Sequence, residues 1–130
     1  MIGIWQDYAA FYLVVAGVAM LGAFGFPLLV APMSWARLMR WEVPPPGNLI
    51  VFLGRSLGMF ICVIAAYAFK AAATPQAQPF FFELMLWTFA GMIALHVYGA
   101  IKKAQPITET LEIGLWVFLV LVTLLFYPGA

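Results

Sequence analysis

Four apolar runs, near 8–31, 49–69, 79–101 and 112–127, occupy most of this 130-residue chain. A helix of about 20 residues crosses the roughly 30 Å hydrocarbon core of a bilayer, so each run has the length of a membrane span. With 66% hydrophobic and 8% charged residues, the chain lies far outside the soluble globular range. The fold class that follows is an all-α integral membrane protein, a four-transmembrane-helix bundle with short loops. Spans and turns use up the length, so 1–130 reads as a single membrane domain with no separate soluble part. Residues 1–10 carry no Lys or Arg, and the apolar run that follows exceeds the core of a signal peptide, so it reads as the first span.

Charge and cysteine content remove several function classes. A net charge of +1, from only six Lys and Arg, offers no basic patch for neutralising phosphates, which excludes nucleic acid as a partner. A single cysteine, Cys62, excludes an internal disulfide and a cysteine-based zinc site, and reads as a small apolar packing residue.

The connections are short and end in helix breakers. The first, "PMSWARLMRWEVPPPGN", finishes in three prolines and a glycine, and the chain must turn there. Within it Trp35, Leu38 and Met39 share a helical face away from Arg37 and Arg40, which fits an interfacial helix over 33–42 anchored by Trp35, Trp41, Arg37 and Arg40. An irregular loop with its tryptophans at headgroup depth fits equally well. Thr108 or Thr110 in the third connection is placed to cap the last helix. Basic residues set the orientation: Arg37, Arg40, Lys102 and Lys103 lie in the first and third connections, against Lys70 alone in the second. The positive-inside rule then puts both termini on the non-cytosolic side. Trp5, Tyr8 and Tyr127 suit the aromatic belt of that face.

Polar side chains inside the runs are the functional candidates, because ionisable groups in hydrocarbon are costly and usually face a bundle interior. Arg55 lies about 9 Å into the second run, and His96 about 8 Å from the end of the third, a similar depth on the same side. Glu112 opens the fourth run and Glu109 precedes it by one turn, so Arg55, His96, Glu112 and Glu109 form the candidate ligand-binding set. The structural alternative is that Arg55 snorkels to the interface or holds helix register. Gly54 and Gly58, and Ala90 and Ala94, repeat small residues at four-residue spacing, the pattern that lets membrane helices approach closely. Pro27, late in the first run, should kink or end that helix.

With one histidine, a two-histidine haem site is excluded, and a zinc site would need an uncommon ligand set, so no metal is assigned. His96 alone could ligate one pigment or haem. It could also act as an acid or base with Glu112, but no motif sets up a nucleophile or substrate pocket, so no catalytic residue is assigned and an enzyme is not expected.

"GRSLG" in the second run, then "LWTF", His96 and "VYG" in the third, resemble the four-span ergosterol-biosynthesis scaffold family over residues 54–99. The resemblance implies a non-catalytic tether that holds membrane enzymes together, carried by Arg55, Gly58, Trp87 and His96. The C-terminal "YPGA" lacks the basic tail common in endoplasmic reticulum proteins, which favours a bacterial cytoplasmic membrane. The functional expectation is a small scaffold or accessory subunit whose partners are lipids, other membrane subunits or further copies of itself. The alternative is a binder of a lipid, quinone or pigment, or a small enzyme or transporter, built on Arg55, His96 and Glu112.

Overall fold

In a computed structural model, residues 2–45 and 47–129 are described; they are helical wherever they are regular, and no strand occurs among them. Four helices are long and apolar enough to cross a membrane: Gln6–Val30, Asn48–Ala72, Pro75–Lys102 and Ile107–Leu125. The protein is an all-α, multi-pass membrane protein of the kind that a four-helix bundle requires. In chain order the α-helices are α1 (Ala9–Met20), α2 (Phe26–Val30), α3 (Pro32–Leu38), α4 (Asn48–Ala72), α5 (Gln78–Lys102) and α6 (Ile107–Leu125). They fall into two compact units, Leu13–Lys70 and Met1–Tyr12 with Ala71–Ala130.

In the Leu13–Lys70 unit, Pro27 governs the first span. Proline has no N–H, so a regular helix through it would orphan the carbonyl of Ala23 and press the ring against it. The backbone widens into a π-helical turn over Leu21–Gly25, in which the Phe26 N–H bonds to Leu21 O, and resumes as α2. Ala23 O is then taken by the indole N–H of Trp35 at 2.8 Å, while the Trp35 ring tilts against Phe24 with centroids 5.7 Å apart. The helix therefore bends without ending, because a side chain replaces the lost backbone donor, as membrane interiors require. Trp35→Phe keeps the ring and deletes the donor. It is expected to lower the unfolding free energy in detergent by about 1–3 kcal/mol; equal stability of Trp35→Phe and wild type would refute the bond's role.

The connection after α2 is shorter in helix than 33–42. Ala31 leaves helical geometry, Pro32 starts α3, and Arg40 adopts a left-handed conformation with φ 64°. The Trp41 N–H returns to Ala36 O and the Arg40 N–H to Arg37 O, the pattern of a Schellman motif. Trp35 faces back onto the first span, Arg37 and Leu38 are exposed, and Trp41 lies beyond the end of the helix. Of the proline triplet expected to stop the chain, Pro46 lies outside the described residues.

Against this segment α4 packs through its glycines. A Cβ on Gly54 would meet Pro32 Cβ at 2.5 Å. One on Gly58 would run into Gly25 O and the Leu28 carbonyl carbon at 2.8 Å, and into Leu29 N. The partners at Gly58 are backbone atoms, so the backbones of α4 and the first span touch there with no side chain between them.

The other unit pairs α5 with α6, joined by residues 103–106, and closes on the N-terminal segment. The Gly3 and Trp5 N–H groups each bond at 2.9 Å to Leu124 O and Leu125 O, respectively, at the end of α6. Tyr12 and Thr123 are buried and joined at 2.6 Å, while the Thr123 hydroxyl also reaches Leu119 O at 2.6 Å. Leu119 O can only accept, so Thr123 donates to it and the Tyr12 hydroxyl donates to Thr123. The Tyr12 ring stacks on Phe126 at 4.9 Å, and Phe82 fills the space beside it at 5.6 Å. Ala90 and Ala94, by contrast, are exposed on α5.

Candidate functional site

The α5–α6 turn is built to bring three ionisable side chains together. At the end of α5, Lys103 takes a left-handed conformation with φ 52°, and the N–H groups of Lys103 and Ala104 return to Ala100 O and Gly99 O. This Schellman closure reverses the chain at once. Gln105 then folds over Gly99, into the space that any side chain at 99 would occupy. Its amide donates to His96 O at 3.0 Å and to Thr110 Oγ1 at 3.1 Å, tying the last turns of α5 to the first turn of α6.

Helix α6 begins at Ile107, five residues before the fourth run was expected to start, with Pro106 at the cap position and no side-chain cap from Thr108 or Thr110. The polar stretch "ITET" is thus helix and not connection. As a result Glu109 and Glu112 sit one turn apart on a single helix face.

That face meets His96. The histidine is 3% exposed, and its Nε2 lies 3.0 Å from Glu109 Oε2 and 3.6 Å from Glu112 Oε2. On the other side of the ring, Nδ1 is 2.7 Å from Met92 O, one turn back on α5. A carbonyl can only accept, so Nδ1 carries a hydrogen and donates it, which leaves Nε2 facing two carboxylates. Trp116, one turn beyond Glu112, is buried with its ring centroid 6.0 Å from that of His96, and Phe89 lies 5.7 Å from Trp116. One wall of the cluster is therefore aromatic and apolar, and the half-buried carboxylates form the other.

Three of the four candidate residues, His96, Glu109 and Glu112, are thus assembled in one place. Arg55 belongs to the other unit, exposed on α4, where no hydrogen bond or ion pair engages it among the described residues of that unit. Glu83, near the start of α5, accepts a hydrogen bond from the Tyr127 hydroxyl at 3.3 Å. Both ring nitrogens of His96 are engaged inside the chain, Nδ1 with Met92 O and Nε2 with Glu109.

Sequence reasoning missed Gln105, Trp116 and the Met92 carbonyl. Gln105 carried a faint signal, a polar side chain between a basic pair and a proline. A backbone carbonyl carries none, because every residue has one. Comparison with protein-family models, curated proteins and solved structures finds no match for the chain.

Proposed function

We propose that this protein is a non-catalytic accessory or scaffold subunit of a larger membrane complex, seated in a bacterial cytoplasmic membrane with both termini on the non-cytosolic side. The observation that carries this reading is Trp87. It lies about 14 Å from the start of α5 and about 22 Å from its end, near the middle of a span, and is 79% exposed. Exposed tryptophan favours the membrane interface, where its N–H meets water or headgroups. In mid-membrane that donor has no solvent partner, and among the described residues it has no acceptor within this chain. A neighbouring helix with an accepting group meets both needs, and a large aromatic anchor is the kind of residue that dominates such an interface. The likeness of "GRSLG", "LWTF" and His96 to the ergosterol-biosynthesis scaffold family supports a tethering role. Pairing of the N-terminal segment with the end of α6 supports termini on one side, and the basic first and third connections support the direction.

The test is mild extraction from the native membrane followed by intact-complex mass spectrometry, for wild type and Trp87→Leu. The reading expects larger subunits to accompany wild type and a photo-crosslinker at position 87 to attach to one of them. Trp87→Leu should weaken the complex about 30-fold, the cost of about 2 kcal/mol at an anchor residue. A partner-free monomer, or a complex indifferent to Trp87→Leu, would overturn it.

A second reading is favoured by the convergence of His96, Glu109 and Glu112. Under it the chain binds or relays a charged species near the Lys102 and Lys103 end of α5, with these three side chains as the site.

A further inference from the structure

We propose that His96, Glu109 and Glu112 form a binding site for one divalent first-row metal ion, of which Zn2+ is the natural probe. The proposal rests on the second reading above and gives its charged species a chemical class.

Three ligand atoms, His96 Nε2 and one oxygen from each carboxylate, all lie within 4.8 Å of one another. A metal bonded at about 2.0–2.2 Å to imidazole nitrogen and carboxylate oxygen holds neighbouring ligand atoms about 3.3–3.6 Å apart in tetrahedral geometry. The contacts from Nε2, 3.0 and 3.6 Å, bracket that spacing. An imidazole with two carboxylates suits Zn2+, Mn2+ or Fe2+ better than Ca2+ or Mg2+, which take oxygen donors throughout.

The histidine is oriented as a ligand by a bond outside the cluster. Metal-bound histidines nearly always donate their second ring N–H to a carbonyl or carboxylate, which fixes the tautomer and turns the other lone pair to the metal. Here Nδ1–H donates to Met92 O, and Gln105 fixes the backbone carbonyl of His96 itself. The lone pair at Nε2 is left pointing at two acceptors, and acceptors facing one another need an electrophile between them.

Charge and number decide between a metal and a proton. A proton between Nε2 and Glu109 uses one carboxylate, while an oxygen of Glu112, whose carboxylate also accepts from the Trp116 indole, is turned to the same nitrogen at 3.6 Å. With both carboxylates ionised such a proton also leaves a net charge of −1 beside an aromatic wall, since an imidazolium offsets only one of them. A divalent ion among a neutral imidazole and two carboxylates brings the sum to zero and uses all three groups. Three protein ligands leave at least one coordination position for water or a further ligand. The site lies about 9 Å from the end of α5, with both carboxylates at the helix start, so an ion has a short path from the membrane surface.

The test uses the full-length protein in detergent or nanodiscs, freed of metal and dialysed against Zn2+ near pH 7, with metal counted by mass spectrometry and Co2+ as an absorbing substitute. Wild type should retain about one ion per chain, and bound Co2+ should show the visible bands of nitrogen and oxygen ligation. Glu112→Gln keeps the His96–Glu109 hydrogen bond, so it should hold wild-type helicity by circular dichroism while binding at least about tenfold more weakly. Glu83→Gln, remote from the site, should bind as wild type. Failure of wild type to retain stoichiometric Zn2+ or Co2+, or equal retention by Glu112→Gln, would overturn the metal site. If the histidine resonances of such a protein still titrate with Glu109 and Glu112, the charged species is a proton, and the second reading stands without the metal.

Discussion

His96→Leu is expected to destabilise the protein by about 3 kcal/mol or more, read as the shift of its unfolding transition in detergent. The substitution removes the imidazole that both half-buried carboxylates face and leaves them about one helical turn apart with like charge. Removing one member of a buried polar network of this kind costs about 3–5 kcal/mol, because the carboxylates left behind stay desolvated. The triple variant His96→Leu with Glu109→Leu and Glu112→Leu removes the whole network and should recover most of that loss, since apolar groups of similar size replace buried ion pairs with little penalty. A single variant within about 1 kcal/mol of wild type would show that water or lipid headgroups reach the carboxylates freely. The comparison separates a cluster that holds the α5–α6 turn together from one kept at a cost for binding.

Gly58→Leu is the second substitution with a large expected effect. The atoms beside Gly58 are Gly25 O, the Leu28 carbonyl carbon and Leu29 N, and backbone cannot rotate away as a side chain can. The α4 helix would have to move off the first span. Overpacking of a tight contact costs about 1–3 kcal/mol, and here the upper end is expected because no flexible neighbour absorbs the clash. Gly91→Leu is the matched control, since nothing lies within 4 Å of a Cβ there. The measurement is the unfolding transition in detergent, with cross-linking of a cysteine placed at 25 to the native Cys62, whose Sγ lies 3.0 Å from a Cβ at 25, reporting the contact. If Gly58→Leu unfolds at the wild-type transition and keeps its helix contact, the backbone approach at Gly58 contributes nothing.

Much of this architecture was legible along the chain. Span length and apolarity are sums over consecutive residues, so the four helices emerged from hydropathy with ends displaced by a few residues. Pro27 announced a disturbance in the first span, though not its form. A missing N–H is a local fact, whereas the donor that replaces it, the indole of Trp35, comes from a different helix. The start of α6 was hidden for a related reason. "ITET" is polar and follows a proline, so hydropathy ends the membrane run after it, but the chain is helical from Ile107. Five residues of helix at that point bring Glu109 onto the same face as Glu112.

The candidate site divides along the same line. Depth follows from counting residues at a fixed rise, and counting placed His96 near Glu112 and Glu109 correctly because all three lie beside one tight turn. The same count grouped Arg55 with them, and Arg55 lies in the Leu13–Lys70 unit. The facing of a helix, its rotation about its own axis, is set by which side chains interlock, and no count along one strand of sequence supplies it. By itself the sequence determined that this is a helical membrane protein and which few polar residues its spans carry. The tertiary structure alone decided that His96 turns Nε2 to two carboxylates and Nδ1 to a carbonyl, because that orientation depends on Gln105 closing over Gly99 and on the rotation of α6 against α5.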